Sequence, residues 1–186
     1  MTPGVTGVRA ARRLNHMEFV YRPGERDLVL ALFDLLGFQK HDEHGGVFLL
    51  GFIDSTEPAD NFVAGSEVKP EQWEFDQALA EALRQEPLAT AFDGYKNLLE
   101  RDPQWGMHVG IRFESLDEWE ETVARVGDVG VHAPVLADRV TLRGVYRPGE
   151  PGAMSSSVYQ AFIWTDVLAS GSLAFGQQLE LTVHAF

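Results

Sequence analysis

Three residues of this chain have the types and spacing of a metal-ligand set. His16 and His108 each stand in a segment that alternates apolar and polar residues, the pattern of a half-buried strand. Both fall on the less apolar side of their segment, and Glu180 falls on the polar side of a similar segment near the chain end. Two imidazoles and one carboxylate suit Fe(II), Mn(II) or a similar divalent ion, with positions left open for substrate and oxygen or water. The alternative is that each is an isolated polar residue satisfied by local hydrogen bonds.

The two histidines occupy corresponding places in two units of similar construction. The first unit has an alternating segment over 14–21 and a helical pattern that ends at Gly37. The second has an alternating segment over 106–113 and a helical pattern over 116–126, with Ser115 as its N-cap. Because strand, helix and glycine recur in the same order about 92 residues apart, the layout indicates an internal duplication.

The remaining pattern predicts further strands in both units and a helical insertion between them. Strands are expected over 47–53 and 61–64, after a polar break at 41–46 and an acidic loop at 54–60, and over 131–133, 139–146, 158–165 and 178–186; helices are expected over 71–86 and 88–101. We therefore expect an α+β protein in which the apolar sheet faces pack under helices and the other faces line a shared concavity. The organisation is a loose tail at 1–13, modules at 14–69 and 105–186, and the insertion at 70–104, in one compact domain.

Composition excludes several classes of protein. Asp plus Glu is 28 and Lys plus Arg is 15, which gives a net charge of −13 and argues against nucleic-acid or anionic-membrane partners. The chain has no cysteine, so any metal must be bound by histidine, carboxylate or carbonyl. The longest apolar stretch, 28–38, contains Asp34 and is too short to cross a bilayer, and no secretory leader is evident. We therefore expect a cytoplasmic protein.

Two pairs of motifs and a closing segment resemble a known superfamily in their order and spacing. They are LNHMEFV followed by a helix ending in DLLGF, GMHVGIRF followed by SLDEWEETVARVG, and the closing segment WTDVLASGSLAFGQQLEL. The chain resembles the vicinal oxygen chelate superfamily, which includes glyoxalase I, extradiol ring-cleaving dioxygenases, fosfomycin-resistance proteins and bleomycin-binding proteins. The resemblance implies two paired βαβββ modules that form a curved, partly closed mixed sheet around a central cavity. It also implies a homodimer and one divalent metal ion, Fe, Mn, Ni or Zn, on His16, His108 and Glu180.

The first module departs from the glyoxalase pattern at the position of a fourth ligand. Its last predicted strand, 61–65, offers no carboxylate or imidazole, although Asp60 and Glu67 flank it. Three ligands look more like the ring-cleaving dioxygenases or the fosfomycin-modifying transferases than like glyoxalase I. Whether Asp60 or Glu67 supplies a fourth ligand is open at this point.

Two further residues are candidate catalytic groups. Tyr159 could point into the concavity and serve as a hydrogen-bond donor or acid to a substrate oxygen, whereas the alternative is a packed ring with a satisfied hydroxyl. His184 shares the polar face of Glu180 near the chain end, where a supporting or proton-transfer role competes with simple exposure.

Two functional hypotheses follow. The first is a metal-dependent enzyme, a dioxygenase or a lyase or isomerase, that acts on a small oxygen-rich substrate chelated to the metal. The second is a metal-free small-molecule binding protein of the bleomycin-resistance kind, for which the acidic composition would suit a cationic ligand. The sequence leaves the substrate, the metal and the reaction open.

Overall fold

A computed structural model describes residues 14–41, 48–53 and 61–185 of the chain. The predicted tail, most of the polar break, the acidic loop with Asp60, and Phe186 lie outside these ranges. The first module contains β1 (His16–Tyr21), α1 (Arg26–Leu36), β2 (Gln39–His41), β3 (Phe48–Phe52) and β4 (Phe62–Glu67). Two helices follow, α2 (Pro70–Ala82) and α3 (Leu88–Arg101). The second module contains β5 (Val109–Arg112), α4 (Leu116–Gly127), α5 (Val129–His132), β6 (Val140–Tyr146), β7 (Val158–Thr165) and β8 (Gln177–His184).

Each module forms a four-stranded mixed sheet with the same strand order. Sheet A has the order β1-β4-β3-β2 and sheet B the order β5-β8-β7-β6. In both sheets the first and last strands of the module pair in parallel, and the other pairs are antiparallel. The α+β class and the two βαβββ modules expected from the sequence are confirmed.

Strand alternation separates a core face from a polar face in both sheets. In β1, Phe19 and Tyr21 are buried in the core, whereas His16 and Glu18 are exposed on the opposite face. The core-facing residues of β8 are Leu179, Leu181 and Val183. Buried residues of α1 and α4 belong to the same cluster, so one core joins the two modules.

The helix ends follow the signals in the sequence. Gly37 adopts a left-handed conformation with φ of 78°, which lets the amide of Phe38 donate to the carbonyl of Phe33 at 2.9 Å. The side chain of Ser115 caps α4 by accepting from the amide of Glu118 at 3.3 Å.

Four charged side chains connect the modules. Arg139 donates to both carboxylate oxygens of Glu25, at 3.1 and 2.8 Å, and also contacts Asp166. Arg22 completes the group through Asp166 at 3.1 Å and Glu25 at 3.4 Å. Burial on its own raises the pKa of Glu25, but hydrogen bonds and charge from Arg139 and Arg22 outweigh it and leave that pKa below its ordinary value. This network and the backbone bridge between Val20 and Ala169 fix the second module against the start of the first.

One predicted strand is wrong, and one observed strand was not predicted. The segment 131–133 is not a strand, because α5 and a 3-10 turn at Pro134–Leu136 occupy it. Its amides are used locally, with Ala133 donating to the carbonyl of Val129 at 2.7 Å, and Val131 is exposed. The strand that was not predicted, β2, ends where the polar break begins; its three residues are all exposed, so no apolar alternation marks it.

The insertion contains the two predicted helices, and α3 approaches sheet B. Leu99 of α3 comes so near Gly106 that a Cβ at that glycine would lie 2.6 Å from its side chain. The ring of Phe92 contacts Phe175 with centroids 5.8 Å apart. Among the helices of the described ranges, none is both long enough and apolar enough to span a bilayer.

Candidate functional site

The polar face of sheet B is centred on Glu180 of β8. Glu180 pairs with Gly110 on one side and with Phe162 on the other. Only 9% of Glu180 is exposed, and a Cβ at Gly110 would stand 3.5 Å from its Oε2 atom. The absence of a side chain at position 110 therefore leaves space beside a nearly buried carboxylate.

His108 lies directly against this carboxylate. It precedes β5 rather than lying inside it, and its Nε2 is 3.0 Å from Oε2 of Glu180. Its Nδ1 is 2.7 Å from the carbonyl oxygen of Gly106. Since a carbonyl can only accept, Nδ1 must carry a proton, and Nε2 is the atom presented to Glu180.

A third side chain holds the other oxygen of the carboxylate. Nε2 of Gln160, on β7, donates to Oε1 of Glu180 at 2.6 Å. The ring of His108 also meets Phe162 edge-on, with centroids 5.5 Å apart. Gly106 and Gln160 thus hold His108 and Glu180 by hydrogen bonds, and the two held side chains meet at 3.0 Å. Sequence reasoning missed Gln160. Its only signal was its position two residues before Phe162, the ladder partner of Glu180, and β7 has apolar residues on both faces.

The pair has the chemistry of two metal ligands. An imidazole that binds a metal through one nitrogen commonly donates from the other nitrogen to a carbonyl or carboxylate, as Nδ1 of His108 does to Gly106. A lone pair on Nε2 and a carboxylate oxygen can share one divalent cation. Alternatively, a protonated Nε2 forms an ion pair with Glu180. His108 and Glu180 fit a metal ion as two of its ligands.

His16 lies apart from this pair. It is exposed on sheet A, its Nδ1 is 2.7 Å from Oδ1 of Asn15, and its ring stacks on Phe62 with centroids 5.1 Å apart. Within 14–41, 48–53 and 61–185, no group of three or more His, Asp or Glu side chains is placed to hold a metal ion. The structure brings two of the three expected ligands together, and the three-ligand set stays a prediction.

Strand register identifies the first module's counterpart of Glu180. Glu180 pairs with Gly110, two residues after His108; the residue that pairs with Glu18, two residues after His16, is Ala64. Glu67 is instead exposed at the end of β4, where it accepts from the amide of Gly24 at 2.9 Å. The corresponding position in the first module is therefore an alanine, and Asp60 lies outside the described residues.

Tyr159 and His184 lie away from the pair. Tyr159 is opposite Val183 in the ladder and packs on Trp119 with ring centroids 5.6 Å apart. This places it on the core face and corrects the expectation that it points into the concavity. His184 shares the face of Glu180 but is exposed at the end of β8, four residues along the strand, about 13 Å away by strand rise.

A separate cleft of about 1020 Å³ lies between the modules. The cleft is formed at the C-terminal ends of α1 and β5 and along α4. His108 lies just before the N-terminal end of β5, so the cleft and the pair are at opposite ends of this strand. Its polar side chains are Gln39, Asn61, Arg112, Glu114, Glu118, Glu121, Thr122 and Arg125. Arg125 donates to the carbonyl of Leu35 at 3.3 Å and so helps to cap α1 across the module boundary.

Comparisons with known proteins find a likeness to solved structures alone. No family model and no curated protein matches it. A solved structure described as a possible glyoxalase from Bacillus cereus is 12% identical, with a TM-score of 0.42 over 92% of this chain and 98% of that one. A hypothetical protein from S. aureus is 12% identical, with a TM-score of 0.45 over 90% of this chain and 92% of that one. At these values neither description is carried over to this chain, and its fold is described from its own two βαβββ modules.

Proposed function

We propose that the protein is a metal-dependent enzyme that binds a small oxygen-rich substrate on the polar face of sheet B. His108 and Glu180 hold the divalent metal, and the observation that carries the proposal is the 3.0 Å approach of Nε2 to Oε2 with Nδ1 fixed by Gly106. A metal at this position supplies Lewis acidity to substrate oxygens. Fe, Mn, Ni and Zn are all compatible with one imidazole and one carboxylate.

The surrounding residues of the chain orient the two ligands. The carbonyl of Gly106 fixes the tautomer and ring direction of His108, and Gln160 fixes the carboxylate of Glu180. Gly110 leaves room next to the carboxylate for a substrate atom. Phe162 backs the ring of His108 and is fully buried, which keeps water from that side. Dioxygenase and lyase or isomerase reactions are the alternatives within the proposal. The third ligand expected from the sequence, His16, would join the site only if the modules closed further, because its ring stacks on Phe62.

Elemental analysis of protein purified without an affinity tag tests the proposal. We expect about one Fe, Mn, Ni or Zn per chain, and its loss in His108→Ala and Glu180→Gln. The matched controls are His132→Ala and Glu114→Gln, which change exposed residues outside the pair. Metal retained in both ligand variants, or a wild-type protein that refuses added divalent ions, would overturn the proposal.

The second candidate is a metal-free binding protein. The observation in its favour is that a protonated His108 would pair with Glu180 without any metal, while His16 stays on sheet A. Titration with a cationic glycopeptide in the presence of a chelator separates the two candidates. Unchanged tight binding would favour this second function, and an absence of binding would count against it.

By resemblance we also propose a homodimer, which light scattering after gel filtration would test.

A further inference from the structure

Arg143 is aimed onto the polar face of sheet B by an irregularity in β6. The ladder between β6 and β7 is regular up to Leu142 and resumes at Gly144, so Arg143 is the extra residue of a bulge. Bulges commonly redirect a side chain next to a functional site. The guanidinium carbon lies 5.3 Å from the ring centroid of Trp164, which is on the same face as Phe162.

Among the described residues, no carboxylate forms a direct ion pair with Arg143. Its Nη1 atom is buried without a hydrogen-bond partner, and no carboxylate oxygen of the described residues lies within 4.0 Å of it. Burial lowers the pKa of Arg143, and the more distant carboxylate of Glu100 on α3 opposes that fall. A half-buried guanidinium of this kind is costly unless an anion pairs with it.

Two neighbouring side chains on the same face carry hydrogen-bond acceptors that have no donor among the described residues. Oε1 of Gln160 and Oε1 of Gln178 are buried and have no donor among the residues that the structure describes. Gln178 pairs with Trp164 in the ladder, and its Nε2 donates to the carbonyl of Pro103 at 2.6 Å. Buried polar groups are nearly always satisfied, so an unpaired donor and two unpaired acceptors on one face indicate a polar ligand.

We propose that Arg143 binds the carboxylate of a small organic acid that lies across β7, with a hydroxyl-bearing end at His108 and Glu180. The inference rests on the proposed function in placing the substrate on this face, and it adds the substrate's class. A planar guanidinium fork matches a carboxylate. Glu180 disfavours a second carboxylate at the other end. β6 and β8 are two strand spacings apart, about 9.5 Å, which a short carbon chain can span.

Calorimetric titration with a homologous series tests this. The probes are glycolate, 4-hydroxybutyrate and 6-hydroxyhexanoate, with chelator present so that the metal plays no part. We expect one chain length to bind best, with at least a tenfold loss of affinity in Arg143→Gln and a smaller loss in Arg143→Lys. The control Arg84→Gln removes an exposed arginine in the turn after α2 and should stay within twofold. Equal affinity in Arg143→Gln, or no binding of any probe to the wild type at 50 mM, would overturn the proposal.

Two further readouts test the role of Arg143 and the class of its ligand. Without ligand, Arg143→Gln should keep or raise the melting temperature, whereas a merely structural arginine would lower it. Inorganic phosphate that binds more tightly than every carboxylate, with the same dependence on Arg143, would contradict the carboxylate assignment. If the wild-type protein refuses added divalent ions but still binds a carboxylate through Arg143, this inference stands and the proposed metal function fails.

Discussion

Ala64 on β4 occupies in the first module the place that Glu180 on β8 occupies in the second. Each is the ladder partner of the residue two positions after the module's histidine. The two modules therefore have the same strand pairing but different side chains at corresponding positions. On sheet A the corresponding row is aromatic, with Phe62 between His16 and Phe52, whereas the carboxylate, the amide and the fixed imidazole all lie on sheet B.

This asymmetry predicts that His16 contributes little to metal binding. We expect His16→Ala to retain the metal with less than a threefold change in affinity, because its ring stacks on Phe62 rather than facing Glu180. Competition titration against a metal indicator measures this. A loss as large as that in His108→Ala would instead establish the three-ligand set and show that the modules close further.

The charged network between the modules predicts acid sensitivity. The pKa of Glu25 is lower in the folded protein than its ordinary value of 4.5, so its stabilisation is fully present above that value and is lost as the pH falls through the folded-state pKa. We expect Glu25→Gln to lower the free energy of unfolding at neutral pH by about 1.5 to 3 kcal/mol. The variant should also show a smaller fall in melting temperature on acidification than the wild type.

Glu81 provides a matched control for that measurement. Its pKa is also lowered, by hydrogen bonds from Gln85 and Arg84, but it is exposed on α2, where ion pairs contribute little. Glu81→Gln should leave both the stability and its pH dependence close to wild type. If Glu25→Gln behaves the same way, the network does not hold the modules together.

The indole of Trp119 predicts a measurable cost in the core. Its Nε1 donates to the carbonyl of Leu181 at 2.9 Å, and the side chain is fully buried. Trp119→Phe should destabilise the fold by about 1 to 3 kcal/mol, because the buried carbonyl loses its donor. Denaturant unfolding measures this, and an unchanged midpoint would contradict the packing of α4 on sheet B.

Gln160 should act through Glu180. Gln160→Met removes the donor to Oε1 and leaves a nearly buried carboxylate less well solvated. We expect roughly tenfold to hundredfold weaker metal binding, the range for loss of a group that orients a ligand, with an unchanged fold by circular dichroism. Metal affinity equal to wild type would show that Gln160 does not orient the carboxylate.

Local signals in the sequence predicted much of the frame. Gly37 and Ser115 marked helix ends correctly, and the alternation in β1 and β8 assigned the correct faces to His16 and Glu180.

In β7 both faces are apolar, because Phe162 is buried beneath His108 and Tyr146, so alternation could not show that Tyr159 faces the core. Corresponding positions in a duplicated chain are related by symmetry rather than by contact. The separation of His16 from His108 and the bulge at Arg143 depend on tertiary packing that no local pattern encodes.

Nitrogen-15 NMR of the histidine side chains tests the central claim most directly. Addition of Mn²⁺ to metal-free protein should selectively broaden the Nε2 resonance of His108, and Glu180→Gln should abolish that effect. The resonances of His132 and His184 should stay sharp at the same metal concentration. Mn²⁺ that leaves His108 unaffected, or broadens it equally in Glu180→Gln, would contradict a metal site on this pair.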